Sequence, residues 1–260
     1  MKSKWTDPYS YVLPGALFLL WITITGLHLA GPRMVPPVLD VPRALCALFT
    51  AGVFRQYETN LWLAVGLSLS RVFCGFLLGG TLGFLFGSCL GLSRRAERLF
   101  LPLFHALRQV PFVGWLPLII VWCGTGEAGR IAFITIGAFT PLALNTYAGI
   151  AGVPQQYLEL GQVYRLRFWR MYWQVVLPSA LPSILTGLVL SFNMSWILVV
   201  ASEIMISTQV GLGALISDAR ENFYMDLVFG GIFLVVVTTL TMNSIIEIFR
   251  QKLLKQFKAV

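Results

Sequence analysis

Long apolar runs separated by short polar breaks make up almost the whole chain. The first run, Tyr11 to Ala30, approaches the roughly 20 residues that cross a bilayer as helix, and its Pro14 lies near the start, where proline is tolerated. GPRMVPPVLDVPRAL follows. Its prolines at 32, 36, 37 and 42 forbid continuous helix, which predicts an extended connection outside the bilayer and then a short amphipathic surface helix over Val41 to Ala51. The run from Leu61 to Leu92 is too long for one perpendicular crossing at about 1.5 Å per residue, so its first turns lie in the interface or the helix is tilted. SRRAER, from Ser93 to Arg98, is a compact basic turn. The next run carries Pro102, Pro111 and Pro117, so it is kinked or begins as a re-entrant piece. Ile131 to Ile150, Ser183 to Ile206 and Leu227 to Phe249 complete about six transmembrane helices, and the chain ends in RQKLLKQFK.

Within the second run glycines recur at 75, 79, 83, 87 and 91, one every four residues and therefore on one helical face. Such a smooth stripe lets another helix approach closely, either within this chain or from a second subunit. It is not a nucleotide loop, because no lysine or hydroxyl residue follows at the required spacing.

Composition fixes the class as an all-α integral membrane protein. Hydrophobic residues make up 57% and charged ones 12%, and mean hydropathy is +0.77; a soluble domain carries about twice that charged fraction. The formal charge of +8 does not point to nucleic acid, since the basic residues sit in the gaps between apolar runs rather than on one face of a soluble module. Cys46, Cys74, Cys89 and Cys123 form no close pair and are expected to be small apolar fillers, with no disulfide or metal site. His28 and His105 lie far apart and have no nearby carboxylate. The first run is read as a retained helix, not a cleaved signal.

Six crossings place both ends on one side, and the distribution of positive charge says which. With the N-terminus inside, the inner segments hold Lys2, Lys4, Arg94, Arg95, Arg98, Arg165, Arg167, Arg170, Arg250, Lys252, Lys255 and Lys258, which includes every lysine. The outer segments hold Arg33, Arg43, Arg55, Arg130 and Arg220. Arg71 and Arg108 lie in or near apolar runs, where anchoring at the interface or pairing with a carboxylate competes with substrate contact.

The one extended polar break in the second half is ELGQVYRLRFWRMYWQVVLPSALP, Glu159 to Pro182, on the inner side. Glu159, small Gly161, position 165, Val175, Leu177 and Pro178 resemble the cytoplasmic signature of bacterial ABC importer permeases: Glu-Ala-Ala, three residues, Gly, nine residues, Ile, one residue, Leu-Pro. The spacing matches throughout. Leu160 replaces the usual alanine, Val175 the isoleucine, and Arg165 stands where the family has its glycine, so a tight turn is expected at Gly161 instead. The likeness extends over residues 11 to 250 through VPPVLDVPRAL, SLSR at 68–71, RQVPFVGWLPLIIVWCGTGE, LPSALPSILTGL, ASE at 201–203 and GLG at 211–213. Together these are similar to the permease branch for taurine, alkanesulfonates, nitrate and bicarbonate.

The resemblance implies a type I ABC importer permease fold in the bacterial inner membrane, with both termini cytoplasmic. Residues 1–10 would be a cytoplasmic segment, 11–250 a single permease domain with its coupling segment at 154–178, and 251–260 a basic tail. It further implies a homodimer with two ATP-binding cassette ATPase subunits inside and a periplasmic or lipid-anchored substrate-binding protein outside. Membrane lipid is a partner and nucleic acid is not. No Walker motif, serine elbow or paired catalytic carboxylate occurs, so the chain is expected to be no enzyme and to hold no cofactor, with ATP and Mg on the ATPase subunits. The ATPase-coupling residues would be Glu159, Leu160, Gly161, Arg165, Arg167, Val175, Leu177 and Pro178, with Pro178 ending one element and starting the next.

Ionisable and polar residues inside a crossing are costly and face a cavity or a partner. Asn193, Trp196 and Glu203 share a helical face, with Ser195 beside them, so they either line a pathway or gate or bond helices together. Gly211, Leu212 and Gly213, read as a turn, and acidic Asp218, Glu221 and Asp226 make the outer loop a candidate for docking or gating. An ion-coupled secondary transporter without an ATPase, and a membrane anchor without transport, are the other classes these residues allow.

Overall fold

The computed structural model describes residues 12–27, 29, 31, 34–51, 61–206 and 210–258, with side chains at 47–51 and 255–258 set aside. The expectations for Lys2, Lys4, His28, Arg33 and Arg55 lie outside the described residues, and the side chains of Lys255 and Lys258 are among those set aside. Among the described residues all regular structure is helical: α1 Val12–Gly26, α2 Asp40–Ala51, α3 Leu61–Leu92, α4 Arg94–Leu107, α5 Leu116–Cys123, α6 Glu127–Ala151, α7 Gln155–Val163, α8 Phe168–Met171, α9 Leu177–Met205, α10 Leu212–Glu221 and α11 Met225–Lys258. A 3₁₀ turn, Phe112–Trp115, precedes α5, and a π-helical turn, Tyr172–Val176, joins α8 to α9.

Among the described residues four helical stretches are long and apolar enough to cross a membrane: Leu61–Leu92, Glu127–Ala151, Phe168–Met205 and Met225–Leu254. A fifth arises if α4 and the segment Phe112–Cys123, bent by 96° at their break, form one span. Proline explains the break. Pro111 removes an N–H just where the chain must restart, and Pro117 is admitted because it falls in the first turn of α5. The expected first crossing is a fifteen-residue helix, α1, about 22 Å long and thus shorter than the roughly 30 Å hydrocarbon layer. The surface helix starts one residue earlier than predicted, at Asp40, so Pro42 lies in its first turn and does no harm.

Contacts divide the chain into two compact units. The first takes residues up to 65 together with 209–236. Here the Trp21 indole N–H donates to the Pro36 carbonyl at 3.0 Å and its ring packs on Phe229, while Gly230 and Gly231 leave room for Leu45 and for Leu215 with Ile216.

The second unit, residues 66–208 and 237–260, is built on α3, α6 and α9. All five stripe glycines face α6. A Cβ at Gly75 would strike Ile134, at Gly79 the Thr135 carbonyl, at Gly83 the Phe139 carbonyl, at Gly87 the Ala143 carbonyl, and at Gly91 Ile150. Of the two readings of the stripe, packing within one chain is therefore the one realised. α6 and α9 approach as closely: Ser191 and Ser183 donate across to the carbonyls of Ala138 and Asn145 at 2.7 and 2.8 Å. The cysteines correct another expectation. All four are exposed on the chain's surface, not fillers of its interior.

Candidate functional site

The polar break between α6 and α9 folds as a short helix, a sharp turn and a second helical start. Helix α7 ends at Val163, and Arg165 then adopts φ +51°, the left-handed region. Its amide donates to the Gln162 carbonyl at 2.9 Å, and the next amide, of Leu166, reaches back to Gly161 at 3.0 Å. These two bonds form a Schellman motif, which satisfies the last carbonyls of a helix and favours glycine at the left-handed residue. The turn thus falls at Arg165, the family's glycine position, and the expected shift to Gly161 is wrong. The register is kept because the turn is fixed by the helix-end hydrogen bonds rather than by the side chain.

Gly161 has a different task. It is buried, and a Cβ there would collide with Sδ and Cε of Met171, so α7 can lie against the start of the next helix only with glycine or a displaced methionine. Leu158, Met171 and Leu177 pack on a buried cluster of Leu142, Ile150, Val153, Tyr172, Val176, Ala180 and Ile184, which fastens the segment to α6 and α9. Glu159, Leu160, Val163 and Tyr164 remain exposed, and Gln156, Tyr157, Glu159, Leu160 and Val163 line a shallow concavity. Arg165 and Arg167 are exposed, whereas Val175, Leu177 and Pro178 are half-buried.

Pro178 does not end an element. Helix runs from Phe168 to Met205, and the π-helical turn Tyr172–Val176 precedes the proline, which lies in the first turn of α9. A proline ring clashes with the carbonyl four residues earlier in an α-helix. Widening the preceding turn to π geometry accommodates that clash without breaking the helix, and such π turns are frequent at functional sites. The Tyr172 hydroxyl and Ser88 Oγ lie 3.3 Å apart, which ties this turn to α3.

A second constellation lies where the start of α3, the start of α6 and the end of α9 meet. Arg71 is 4% exposed. Its Nε and Nη2 donate to the two carboxylate oxygens of Glu127 at 2.8 and 2.7 Å, and its Nη1 donates to Glu203 at 2.7 Å. Ser68 Oγ donates to the same Glu203 oxygen at 2.7 Å. Arg130 Nη1 reaches Glu127 at 2.7 Å, and its Nη2 reaches the Thr125 carbonyl at 3.3 Å. Glu203 is buried, so its charge is tolerable only with such donors. SLSR, the glutamate of CGTGE and the glutamate of ASE, far apart in sequence, are thus one cluster.

Of the remaining candidates, Trp196 is buried with its indole N–H unbonded, and Asn193 is half-buried. Ser195 donates to the Ser191 carbonyl within its own helix at 2.9 Å. Arg71 pairs with carboxylates, as one of its two readings had it, whereas Arg108 is exposed and caps α4. Sequence reasoning missed Glu127; the usable signal was the buried Arg71, which needs a carboxylate close by. In the first unit, Gly211 is extended, and Leu212 opens α10 with the Leu215 amide donating to the Gly211 carbonyl at 3.0 Å. GLG is therefore a helix start and not a turn. Leu212 and Gly213 are buried, Asp218 is half-buried and Glu221 is exposed. Burial, and then the charge of Glu221, hold the Asp218 carboxyl above its ordinary pKa.

Comparison with known proteins places these features. The family of binding-protein-dependent transport system inner membrane components matches residues 79–256. The chain is 33% identical to a Bacillus subtilis (strain 168) protein named as an aliphatic sulfonates transport permease, SsuC, over 94% of its own length and 86% of the relative's. It is 30% identical to the taurine transport system permease protein TauC of Escherichia coli (strain K12), over 91% and 87%. An inward-facing structure of the MetNI methionine ABC transporter superposes with a TM-score of 0.64 at 19% identity, over 76% of this chain and 97% of that one, and so shares the fold. A multi-pass helical chain with the spaced signature at 159–178 and these relatives belongs to the binding-protein-dependent transport system inner membrane components, the permease subunits of ABC importers, which work with ATPase and substrate-binding partners.

Proposed function

We propose that this permease imports a small sulfonate such as taurine, as a homodimer with two ATPase subunits on the cytoplasmic side and a binding protein outside. Both termini are cytoplasmic, ATP and Mg bind only the ATPase subunits, and the chain catalyses no reaction itself. The observation that carries the coupling part is α7, a helix fastened to the core through Leu158 and Gly161 yet open on its Glu159, Leu160 and Val163 side. A rigid body with one free amphipathic face transmits displacement to the helices on either side of it. ATPase closure pushes this face, and the Arg165 turn and the π-helical turn pass the motion to α9. The partner must grip the two transport states unequally, since equal affinity shifts nothing. The sulfonate assignment rests on the two relatives named for sulfonates and taurine. Asn193, Ser195 and Trp196 on α9 line or support the pathway, and α10 with Gly211, Leu212, Gly213, Asp218 and Glu221 serves docking or gating outside.

The test is reconstitution of the permease with its ATPase and binding protein in proteoliposomes. Glu159→Lys with Leu160→Glu is expected to abolish taurine-stimulated ATP hydrolysis while the chain still inserts. Undiminished stimulation refutes the coupling assignment, and failure to import taurine or methanesulfonate refutes the substrate class.

A further inference from the structure

The geometry points to an oxyanion-binding site at the Arg71–Arg130 pair, which the chain's own Glu127 occupies as a surrogate ligand and which a sulfonate takes over when Glu127 turns outward. The class of ligand, though not the existence of the site, rests on the sulfonate reading above.

Three charged N–H donors converge on one carboxylate: Nε and Nη2 of Arg71 at 2.8 and 2.7 Å, and Nη1 of Arg130 at 2.7 Å. The donors belong to the buried partners, with side chains only 4% and 6% exposed, whereas the Glu127 side chain is 55% exposed. The ligand is thus the solvent-facing member of the pair and the receptor the buried one. Arg71 is held from behind by Glu203, itself held by Ser68. Arg130 is held by the Thr125 carbonyl in the turn that begins at Gly124, whose φ of +78° suits glycine. Glu127 lies in the first turn of α6, where the backbone dipole also favours negative charge.

Charge decides what can replace it. Among the described groups two arginines and two glutamates cancel; when Glu127 turns to solvent the remaining three carry one net positive charge, which one monovalent anion offsets. A sulfonate offers three oxygens to the three donors, in the charge-assisted hydrogen bonds that guanidinium groups make to oxyanions. A neutral molecule of the same shape leaves the charge uncompensated.

The probe is methanesulfonate, titrated calorimetrically into the permease–ATPase complex in nanodiscs without binding protein, with neutral methanesulfonamide as control. Removing the surrogate's charge in Glu127→Gln is expected to tighten methanesulfonate binding by about tenfold or more, with no change for the sulfonamide. Arg130→Gln added to Glu127→Gln is expected to lose that gain. Equal affinity in wild type and Glu127→Gln, or a gain that survives Arg130→Gln, overturns the site. Should Glu127→Gln fail to assemble, Glu127→Asp carries the test: its shorter carboxylate reaches fewer of the donors, and an affinity no tighter than wild type rejects the proposal. Import by proteoliposomes is measured separately. Absence of sulfonate import by the wild type alongside the gain in binding rejects the transport reading and leaves the site standing, whereas wild-type import without the gain does the reverse.

Discussion

The amide of Leu166 donates to the carbonyl of Gly161 at 3.0 Å across a left-handed arginine, so the turn of the coupling segment is closed by backbone alone. A left-handed conformation costs a residue with a Cβ about 1 kcal/mol, and glycine avoids that cost. Arg165→Gly is therefore expected to raise the thermal stability of the purified complex by up to about 1 kcal/mol, while Arg165→Val lowers it and reduces ATPase stimulation. Differential scanning fluorimetry with ATPase assays checks both. A destabilised Arg165→Gly would mean that the exposed guanidinium holds the turn.

Gly161 and Met171 meet so closely that one must yield to any larger residue at 161. Because the methionine's far end is flexible, Gly161→Ala is expected to cost no more than about 1 kcal/mol, and Met171→Ala in the same chain to remove that cost. Gly161→Phe has no such escape and should lift α7 from the core, uncoupling ATP hydrolysis from import. Measuring both activities in the three variants distinguishes the cases.

Much of this arrangement was legible in the sequence, and what was not has two physical causes. Glycine every four residues fixed a smooth face on α3, and the spacing from Glu159 to Pro178 fixed the register of the coupling segment. Both are local, periodic signals. The partner of the smooth face was not legible, because a small-residue stripe accepts any helix. Nor was the ion cluster, since Arg71 lies 56 positions from Glu127 and 132 from Glu203. The turn at Arg165 was misread for a different reason: residue preference was weighed above the backbone bonds that set the turn.

The stripe carries a prediction with an internal control. A methyl at Gly79 would fall on the Thr135 carbonyl and 2.8 Å from the Ala138 Cβ, whereas at Gly80 its nearest neighbour is Leu142 Cδ1's sister methyl Cδ2, at 3.6 Å. Gly79→Ala is expected to cost about 1–3 kcal/mol through separation of α3 from α6. Gly80→Ala is expected to be neutral or stabilising, because alanine is the better helix former by about 1 kcal/mol. Comparable melting temperatures for the two variants would contradict the packing.

Asp218 titrates above the ordinary aspartate value because burial and Glu221 disfavour its charge. The folded state thus holds the proton more tightly than the unfolded one. The associated stability is complete below the unfolded pKa and is lost as pH rises through the folded one. Asp218→Asn removes this titration, so its melting temperature should exceed that of wild type above the transition and converge with it in acid. A pH series on the two proteins checks the sign.

Arg71 and Glu203 test whether the ion cluster is a matched set. Arg71→Met leaves a carboxylate that is 1% exposed without its main counter-charge, and breaking a buried pair in this way costs about 3–5 kcal/mol. Glu203→Gln alone keeps the Ser68 hydrogen bond and leaves Arg71 paired with Glu127, so its cost is expected to be smaller. Combining Arg71→Met with Glu203→Gln should recover most of the loss, because no buried charge is then stranded. The double-mutant cycle, read as monodisperse yield and melting temperature in detergent, isolates the coupling between the two residues. Additive effects would show that Arg71 acts through Glu127 instead, and the two carboxylates would then have to be regarded as independent.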